Sequence, residues 1–335
     1  MFRCIFEDPG RRQWEDLLAR APRASLQQSF AYGVAVSAQG HMAHRAVIRD
    51  GREPVALLQL AVRRFRWLPG LRLALAIYGP VWLDGEPDGQ RLAQAMDAVC
   101  RTLEPGLLLW TPDVANPIPG LGRRRVMTGA STGVLDLRLP PAELEARLSG
   151  KWRNMLRRAR EAPLAVVEAR AGALLDWLLD TNEAHRRRVG YRGPHRDFYQ
   201  ALAAASHPRR DRLVLIARYA GEPVAGVWMQ RHGRDATYLV GATTESGRRL
   251  RAHHLLLFEA MLRLRERGVE RLDLGGIDTV TAPGVARFKL GTGCAVRTFA
   301  GTYLLSLPGR HRASAGVPAA APLAARSPAV GGDIV

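Results

Sequence analysis

The chain has 335 residues, of which 47% are hydrophobic and 24% are charged, with a formal net charge of +18 at pH 7. This composition is typical of a globular protein of about two domains and excludes collagen-like, low-complexity and intrinsically disordered chains. The positive charge favours polyanionic partners such as nucleic acid, anionic lipid or phosphorylated substrates.

Several other classes of protein are excluded by local features. The segment Met1–Gly10 has acidic residues and a proline where a signal peptide would have an apolar run, and a stretch of about 18 apolar residues is absent. Cys4, Cys100 and Cys294 are widely spaced and lack a Cys-x-x-Cys pair, which argues against disulfides and zinc. We expect a cytoplasmic monomer without a metal ion, in peripheral contact with the inner membrane surface.

The N-terminal half alternates helical and strand patterns. Apolar spacing predicts a helix near Trp14–Ala21, and the Asp50-Gly51 pair predicts a hairpin turn between two strands. Those strands and the later elements of this half are predicted at Ala43–Arg49, Glu53–Arg64, Leu73–Trp82 (strands), Arg91–Leu103 (helix), Gly106–Trp110 and Gly133–Leu137 (strands).

In the C-terminal half, prolines at 140 and 141 open a predicted helix that runs to about Ala162 with a possible break at Gly150. The further predictions are Leu164–Arg170 (strand), Ala173–Arg188 (helix), Arg212–Tyr219, Pro223–Arg231 and Ala236–Ala242 (strands), Arg248–Arg267 (one long helix), Val269–Leu274 and Val296–Leu307 (strands). From Pro308 to Val335, small residues, proline and arginine dominate without periodicity, which predicts a disordered tail.

An internal repeat organises these elements. The tetrapeptide Glu-Pro-Val-Ala occurs at residues 53–56 and again at 222–225, each time after a predicted hairpin turn and within the same order of helices and strands. We therefore predict an α/β (α+β) protein with an N-terminal lobe over residues 1–135, a C-terminal lobe over 136–307 and a disordered tail over 308–335. Each lobe is expected to be a mixed sheet flanked by helices.

Two basic segments are candidates for phosphate binding. On a helix over Lys151–Arg160, the side chains of Arg153, Arg157 and Arg160 share a face that suits phosphate groups, although a solvated surface helix has the same pattern. Arginines 248, 249 and 251 lie near the start of a predicted helix that Ser246 can cap. Their positive charge is unfavourable beside the positive end of the helix dipole. This favours the interpretation that an anion binds there over the alternative of a surface cluster without a ligand.

A third segment has the features of a reaction centre. A buried strand ends in Gly275 and Gly276. Glycines at this point either let the backbone approach a ligand closely or serve only to form a tight turn. Asp278 follows in the loop and Lys289 in the next segment. Among the 49 basic residues only Lys151 and Lys289 are lysine, so a compact ammonium is needed at these positions or persists by chance. An ammonium in such a pocket can stabilise an oxyanion or neutralise an anionic substrate.

Five short motifs resemble those of FemABX-type aminoacyltransferases and occur in the same order. They are Gln27–Phe30, Tyr78–Trp82, Lys151–Asn154, Leu274–Ile277 and Arg287–Gly291. These enzymes are a double-lobed branch of the GNAT acyltransferase fold. The resemblance covers about Ser25 to Leu305, and its most specific part is the Gly-Gly-Ile…Phe-Lys-x-Gly stretch.

The resemblance implies transfer of an amino acid from aminoacyl-tRNA to an amine of a peptidoglycan precursor peptide, without a further cofactor. The residues at the acyl-transfer centre correspond to Phe288 and Lys289, and Asp278 is our candidate general base. The expected substrate-binding residues are Lys151, Arg153, Asn154, Gly275, Gly276 and Arg287. The expected tRNA- or phosphate-binding residues are Arg157, Arg160, Arg248, Arg249 and Arg251.

Two departures from related patterns affect the choice of donor. Many GNAT proteins that use coenzyme A hold its pyrophosphate on an Arg/Gln-x-x-Gly-x-Gly/Ala loop, whose first glycine is replaced here by Arg251. The chain also lacks the inserted coiled-coil arm that some FemABX members use with tRNA. The alternatives are an acyl-CoA-dependent N-acyltransferase acting on a sugar, lipid or peptide amine, and a nucleic-acid- or membrane-binding protein with a decayed catalytic centre.

Overall fold

The structure, a computed structural model, describes residues 2–6, 9–65, 72–191 and 193–307, so the tail predicted over 308–335 lies outside the described residues. The first half contains β1 (Phe2–Phe6), α1 (Arg11–Arg20), α2 (Phe30–Ser37), β2 (Met42–Asp50), β3 (Glu53–Arg64), β4 (Arg72–Ile77), β5 (Val81–Trp82), α3 (Gly89–Thr102), β6 (Gly106–Thr111), β7 (Arg125–Met127) and β8 (Ser131–Asp136). The second half contains α4 (Pro141–Arg147), α5 (Gly150–Glu161), β9 (Ala165–Glu168), α6 (Ala173–Val189), α7 (Arg196–Ala205), β10 (Arg212–Tyr219), β11 (Glu222–His232), β12 (Asp235–Thr243), α8 (Glu245–Arg249), α9 (Ala252–Glu266), β13 (Arg271–Gly276), α10 (Pro283–Leu290), β14 (Ala295–Thr298) and β15 (Thr302–Leu307). Two short 3₁₀ helices lie at Leu26–Gln28 and Gly122–Arg124.

Two mixed sheets with the same strand pattern form the two lobes. The first has the order β1-β2-β3-β4-β6-β15-β7, with β5 paired to β3, and the second has the order β14-β8-β13-β12-β11-β10-β9. Among the described strands, β4 pairs with β6 and β12 with β13 in parallel, and the other pairs are antiparallel. The predicted α/β architecture of two lobes, each built on a mixed sheet, is therefore confirmed.

The repeated tetrapeptide has the same role in both lobes. In the β2–β3 hairpin Val55 is the extra residue of a β-bulge, and in the β10–β11 hairpin Val224 occupies the same position. Both valines are buried. The proline before each valine lies where the bulge interrupts the ladder, which a residue without an amide hydrogen tolerates.

The assignment of strands to the two sheets does not follow the lobe boundary that the sequence predicts between residues 135 and 136. β8 joins the second sheet, and β15 returns to the first sheet by antiparallel pairing with β6. The single strand predicted at Val296–Leu307 is therefore wrong, because its halves, β14 and β15, belong to different sheets. Gly301 lies between them with φ at 114°, a conformation that favours glycine.

Residues in the left-handed region divide two other predicted elements. Tyr78, at φ 53°, separates β4 from β5, so the predicted strand Leu73–Trp82 is two strands. Arg251, at φ 58°, separates α8 from α9, so the predicted helix Arg248–Arg267 is two helices. The hydroxyl that caps α8 belongs to Thr244, which accepts from the Gly247 amide, and not to Ser246 as predicted.

The helix predicted from Pro140 to Ala162 is interrupted slightly before the expected point. Leu148 is extended, and Ser149 caps α5 by accepting a hydrogen bond from the amide of Trp152 at 3.3 Å. Gly150 is then the first residue of α5. The amide of Ser149 donates to the oxygen of Gly291 at 2.9 Å, which ties the start of α5 to the end of α10.

Apolar and polar contacts join the lobes. α2 of the N-terminal region packs on α7, with the rings of Tyr32 and Phe198 5.5 Å apart. The carboxylate of Asp235 accepts from the amide of Ala24 at 2.8 Å and pairs with Arg271 at 2.7 Å. These contacts fix the cleft between the sheets. Among the described helices, none combines the length and apolar character needed to cross a bilayer.

Candidate active site

A cavity of about 190 Å³ lies between the two lobes. Three of the four strands that pair in parallel end at this cavity: Tyr78 follows β4, Asp113 lies just after β6, and Gly275 and Gly276 end β13, whereas β12 contributes Asp235 and Thr237 from its start. Loops at the carboxyl ends of parallel strands are common positions for ligand sites. The lining residues used below are Arg23, Tyr78, Asp113, Thr132, Asp273, Gly275, Gly276 and Phe299.

Lys289 lies on α10 at the edge of this cleft. Its residue is only 9% exposed, and its Nζ donates a hydrogen bond to the main-chain oxygen of Gly276 at 2.8 Å. Burial lowers the pKa of the Lys289 ammonium, and the negative charge of Asp273 partly opposes that shift. Gly275 permits the approach because its φ of 75° is disfavoured for other residues. The arrangement holds one desolvated ammonium beside bare backbone.

Asp273, which the sequence analysis did not select, supplies a carboxylate beside this lysine. Its Oδ1 accepts from the hydroxyl of Thr132 and from the amide of Gly275, the latter at 2.7 Å. Burial and then the charge of Asp113 raise the pKa of the Asp273 carboxyl, while the two hydrogen bonds lower it. A carboxylate oriented through one oxygen and raised in pKa is suited to accept a proton. The available signal was an acidic residue between Leu272 and Leu274 in an apolar strand.

Tyr78 brings the N-terminal lobe to the same point. Its ring stacks on Phe299 with centroids 4.5 Å apart, and its main chain is held by the oxygen of Thr111 and the hydroxyl of Ser25. Burial, followed by the charge of Asp273, raises the pKa of the Tyr78 phenol to about 12. The phenol is thus a neutral hydrogen-bonding group near the carboxylate. A bulky residue in the left-handed region costs about 1–2 kcal/mol, and such residues cluster at functional sites.

The guanidiniums near the cleft are neutralised by acidic partners. Arg23 and Arg297 both pair with Asp113, the former at 3.3 Å. Burial lowers the pKa of Arg297, and the charge of Asp113 opposes that shift. These pairs connect the N-terminal lobe to β14, so they position the walls of the cleft.

Phe288 does not line the cavity although its neighbour Lys289 lies at the cavity edge. Its ring belongs to an aromatic cluster formed by Trp152, His253, His254 and Phe288, with centroid distances from Phe288 of 5.8, 5.7 and 5.1 Å respectively. The indole Nε1 of Trp152 donates to the main-chain oxygen of Phe288 at 3.1 Å. The structure therefore gives Phe288 a position that packs α10 against α5 and α9, outside the cavity lining.

Asp278, the predicted general base, lies in an exposed turn outside the cavity. Its Oδ1 accepts hydrogen bonds from the amides of Val280 at 2.9 Å and Thr281 at 2.8 Å, and its Oδ2 accepts from the Thr281 hydroxyl. These hydrogen bonds hold the pKa of the Asp278 carboxyl below its ordinary value. A carboxylate of lowered pKa is a weak base, and its position makes it the cap of a turn.

Of the predicted substrate-binding residues, Gly275 and Gly276 line the cavity and the others do not. Lys151 and Arg153 are exposed on α5, and the Arg153 guanidinium donates to the oxygen of Ala146 at 2.7 Å. The amide oxygen of Asn154 accepts from Arg157 at 3.0 Å. Arg287 is exposed on α10. The sequence motif alone did not separate residues of the cleft from residues of the neighbouring surface.

The predicted phosphate-binding arginines differ in their availability. Arg157, Arg248 and Arg249 are exposed and form no ion pair with a carboxylate in the described part of the chain. Arg160 instead forms two hydrogen bonds to the carboxylate of Glu145, at 2.7 and 3.0 Å. That ion pair neutralises Arg160. Within the described residues, no group of three or more His, Cys, Asp or Glu side chains is arranged to hold a metal ion.

Comparisons with known proteins agree with this architecture. Residues 146–290 match the family model described as the acetyltransferase (GNAT) domain. A comparison with curated protein sequences gave no match. The crystal structure of FemX superposes with a TM-score of 0.72 at 15% identity, covering 90% of this chain and 96% of that one.

Two further solved structures share the arrangement. A conserved protein of unknown function from Bacteroides thetaiotaomicron matches with a TM-score of 0.58 at 15% identity, covering 90% of this chain and 99% of that chain. The C-terminal domain of a putative lysylphosphatidylglycerol synthetase from Agrobacterium fabrum matches with a TM-score of 0.51 at 16% identity, covering 88% and 92%. The chain thus has the double-lobed GNAT fold found in FemX. Together with the GNAT domain match, the fold supports an acyltransferase.

Proposed function

We propose that this protein is an aminoacyltransferase that moves an amino acid from aminoacyl-tRNA to an amine, with a peptidoglycan precursor peptide as the acceptor. The fold shared with FemX over both lobes supports this reaction class. So does the pairing of a buried ammonium, Lys289, with an oriented carboxylate, Asp273, at the cleft. The net charge of +18 suits a polyanionic donor.

One observation carries the choice of donor. Arg251 precedes α9 in the left-handed conformation, and its side chain folds back so that Nη1 donates to the oxygen of Arg248 at 2.9 Å. A pyrophosphate bound at a helix start needs close approach to bare amides, which glycine permits and a long side chain impedes. This helix start presents guanidiniums instead, which suit the spaced phosphates of RNA.

In the proposed reaction the nitrogen of the acceptor amine attacks the ester carbonyl carbon of the aminoacyl-tRNA. A C–N bond forms, the C–O bond to the ribose breaks, and the ribose oxygen leaves with a proton. The Lys289 ammonium donates a hydrogen bond to the oxyanion of the tetrahedral intermediate. The Asp273 carboxylate accepts the proton from the attacking amine and returns it to the leaving oxygen, so no net proton remains on the enzyme.

An acyl-CoA donor is the second candidate, favoured by the match of residues 146–290 to the acetyltransferase (GNAT) domain. Calorimetric titration of the protein with uncharged tRNA and, separately, with coenzyme A distinguishes the donors. We expect tRNA binding that weakens steeply with salt and no saturable binding of coenzyme A. Tight coenzyme A binding that persists at raised salt, without tRNA binding, would overturn the proposed donor.

A further inference from the structure

We infer that the C-terminal end of α6, through Arg188 and His185, forms part of the surface that binds the tRNA donor. The inference rests on the proposed function and extends its binding surface to a helix end that the sequence motifs do not mark. Both residues are exposed. We call the set His185, Arg188, Arg248, Arg249, Arg251, Lys151, Arg153 and Arg157 the basic edge.

α6 and α8 both contact or follow the carboxyl end of β12. α6 packs on β12, its Leu178 is buried in the same cluster as Ala242 near the end of that strand, and α8 starts directly after β12. In the last turns of α6, the guanidinium of Arg188 donates to Nδ1 of His185 at 3.1 Å. Burial lowers the pKa of His185, and the positive charges of Arg188 and then Arg248 lower it further, which agrees with this placement.

α8 is joined to α5 across the start of α9. The Nη1 of Arg251 donates to the oxygen of Arg248 at 2.9 Å, and the amide of His254 donates to the oxygen of Arg251 at 2.9 Å. The His254 ring packs on the buried ring of Trp152, with centroids 4.8 Å apart, and Trp152 lies between Lys151 and Arg153 in the first turn of α5. The parts of the basic edge on α5 and α8 are therefore connected by direct contacts.

The charges of the basic edge are not compensated within the protein. None of its members forms an ion pair with a carboxylate among residues 2–6, 9–65, 72–191 and 193–307. Nearby arginines do: Arg186 and Arg187 pair with Glu183, and Arg160 pairs with Glu145. The repulsion among uncompensated cations is relieved when a polyanion binds.

The basic edge lies on the side of the sheet where acyl transfer is proposed. β12 and β13 are parallel, so the start of α8 and the end of β13 are at the same end of the sheet. The buried Trp152, which lies between Lys151 and Arg153 in the sequence, donates from its indole Nε1 to the oxygen of Phe288, the residue before Lys289. A stem of RNA bound along the basic edge can therefore present its terminal ester to Lys289.

The chemistry of the edge favours RNA over an anionic membrane. Most of its cations are guanidiniums, whose planar donors match the oxygens of phosphodiesters. They are distributed over α5, α6 and the junction of α8 and α9, as contact with several phosphates of one RNA requires, and each is expected to contact one phosphate at most.

The test measures binding of uncharged tRNA to the full-length protein as a function of salt concentration. Arg188→Gln, His185→Gln and the Arg188→Gln/Arg248→Gln pair are compared with wild type. Arg52→Gln and Arg101→Gln, exposed arginines in the N-terminal lobe, are the matched controls. Loss of Arg188 should reduce the slope of log K against log salt by about one, and loss of both arginines by about two. The controls should keep the wild-type slope.

The outcomes separate this inference from the proposed function. If wild type binds tRNA and Arg188→Gln keeps the wild-type slope and affinity, the inference is overturned and the proposed donor stands. If wild type binds no tRNA, the proposed function fails. A parallel measurement uses vesicles of phosphatidylglycerol and phosphatidylcholine in equal parts. If Arg188→Gln weakens vesicle binding and leaves tRNA binding unchanged, the end of α6 is a membrane-binding surface and the inference is wrong.

Discussion

The ammonium of Lys289 donates a hydrogen bond to the main-chain oxygen of Gly276 at 2.8 Å, and this bond joins α10 to the end of β13. Gly276, whose carbonyl accepts this bond, lines the cavity. The bond therefore holds the ammonium in place before the substrate binds. Such preorganisation removes the cost of reorienting a charge during the reaction.

Replacement of the ammonium tests this relationship. Lys289→Met keeps the methylene chain and removes the charge, so we expect a native circular dichroism spectrum and a turnover lower by about 10²–10³-fold. Lys289→Arg keeps the charge in a larger, planar form and should also lose most activity, because the site accommodates a compact ammonium. Steady-state rates of both folded variants that equal the wild-type rate would exclude this role for Lys289.

Asp278 is the general base predicted from the sequence, and Asp273 is the one proposed from its position at the cleft. Asp273→Asn retains an oxygen that accepts the hydrogen bonds of Thr132 and Gly275 but cannot take up a proton, so we expect a kcat lower by about 10²–10⁴-fold. Asp278→Asn changes an exposed turn outside the cavity and should leave kcat near the wild-type value. The opposite ranking in parallel assays would restore Asp278 as the base.

The dependence of the rate on pH is expected to follow from the protonation of Asp273 and Lys289. The pKa of Asp273 is raised by burial, so kcat should increase with pH through a value above the ordinary range of aspartate. The pKa of Lys289 is lowered by burial. As the pH rises, kcat should therefore begin to decrease at a pH below the ordinary titration range of lysine. Asp273→Asn should remove the decrease of kcat at low pH that protonation of this carboxylate causes. A decrease of kcat at low pH with the same midpoint and size in that variant would contradict the assignment.

Buried histidines are expected to make stability depend on pH. Burial lowers the pKa of His253 to about 4, and the Nε2 of this residue is hydrogen-bonded to the Tyr238 hydroxyl at 2.6 Å. Its neutral form is retained in the folded state, whereas the unfolded chain binds a proton below the ordinary histidine pKa of about 6.5. Its stabilising contribution is therefore complete above pH about 6.5 and is lost as the pH falls towards 4.

The measurement is the free energy of unfolding between about pH 6 and about pH 4 by denaturant titration. His253→Gln, which can still form a hydrogen bond with Tyr238, should reduce the slope of this free energy against pH by about 1.4 kcal/mol per pH unit. His207→Gln, at an exposed position, serves as the control. Equal slopes in wild type and His253→Gln would show that this histidine is not held neutral.

The repeat and the alternation of apolar residues were enough to predict two mixed sheets, because hairpin turns and buried strands depend on neighbouring residues. The breaks at Tyr78 and Arg251 were not predictable in this way. Both are non-glycine residues in the left-handed region, and long-range contacts hold Tyr78 there. The same limit applies to the strand predicted at Val296–Leu307. Its two halves pair with β8 and β6, which lie far away in the sequence.

The candidate site was predicted in part. Lys289, Gly275 and Gly276 were selected from the sequence and come together in the structure. Asp273 was missed because its importance depends on Thr132, which is 141 residues away in the chain. Phe288 was selected with Lys289 because they are adjacent in the motif. Neighbours on a helix point in directions about 100° apart, so only the packing of α10 shows which one reaches the cleft.

Formation of an amide from an aminoacyl ester of tRNA is the reaction proposed for this protein. Its most direct test is the mass spectrum of a peptidoglycan precursor peptide after incubation with the protein and a pool of aminoacyl-tRNAs, with acetyl-CoA in a parallel reaction. We expect a mass increase of one amino-acid residue that disappears when the tRNA is digested by ribonuclease beforehand. A mass increase of one acetyl group from acetyl-CoA, with none from tRNA, would contradict it.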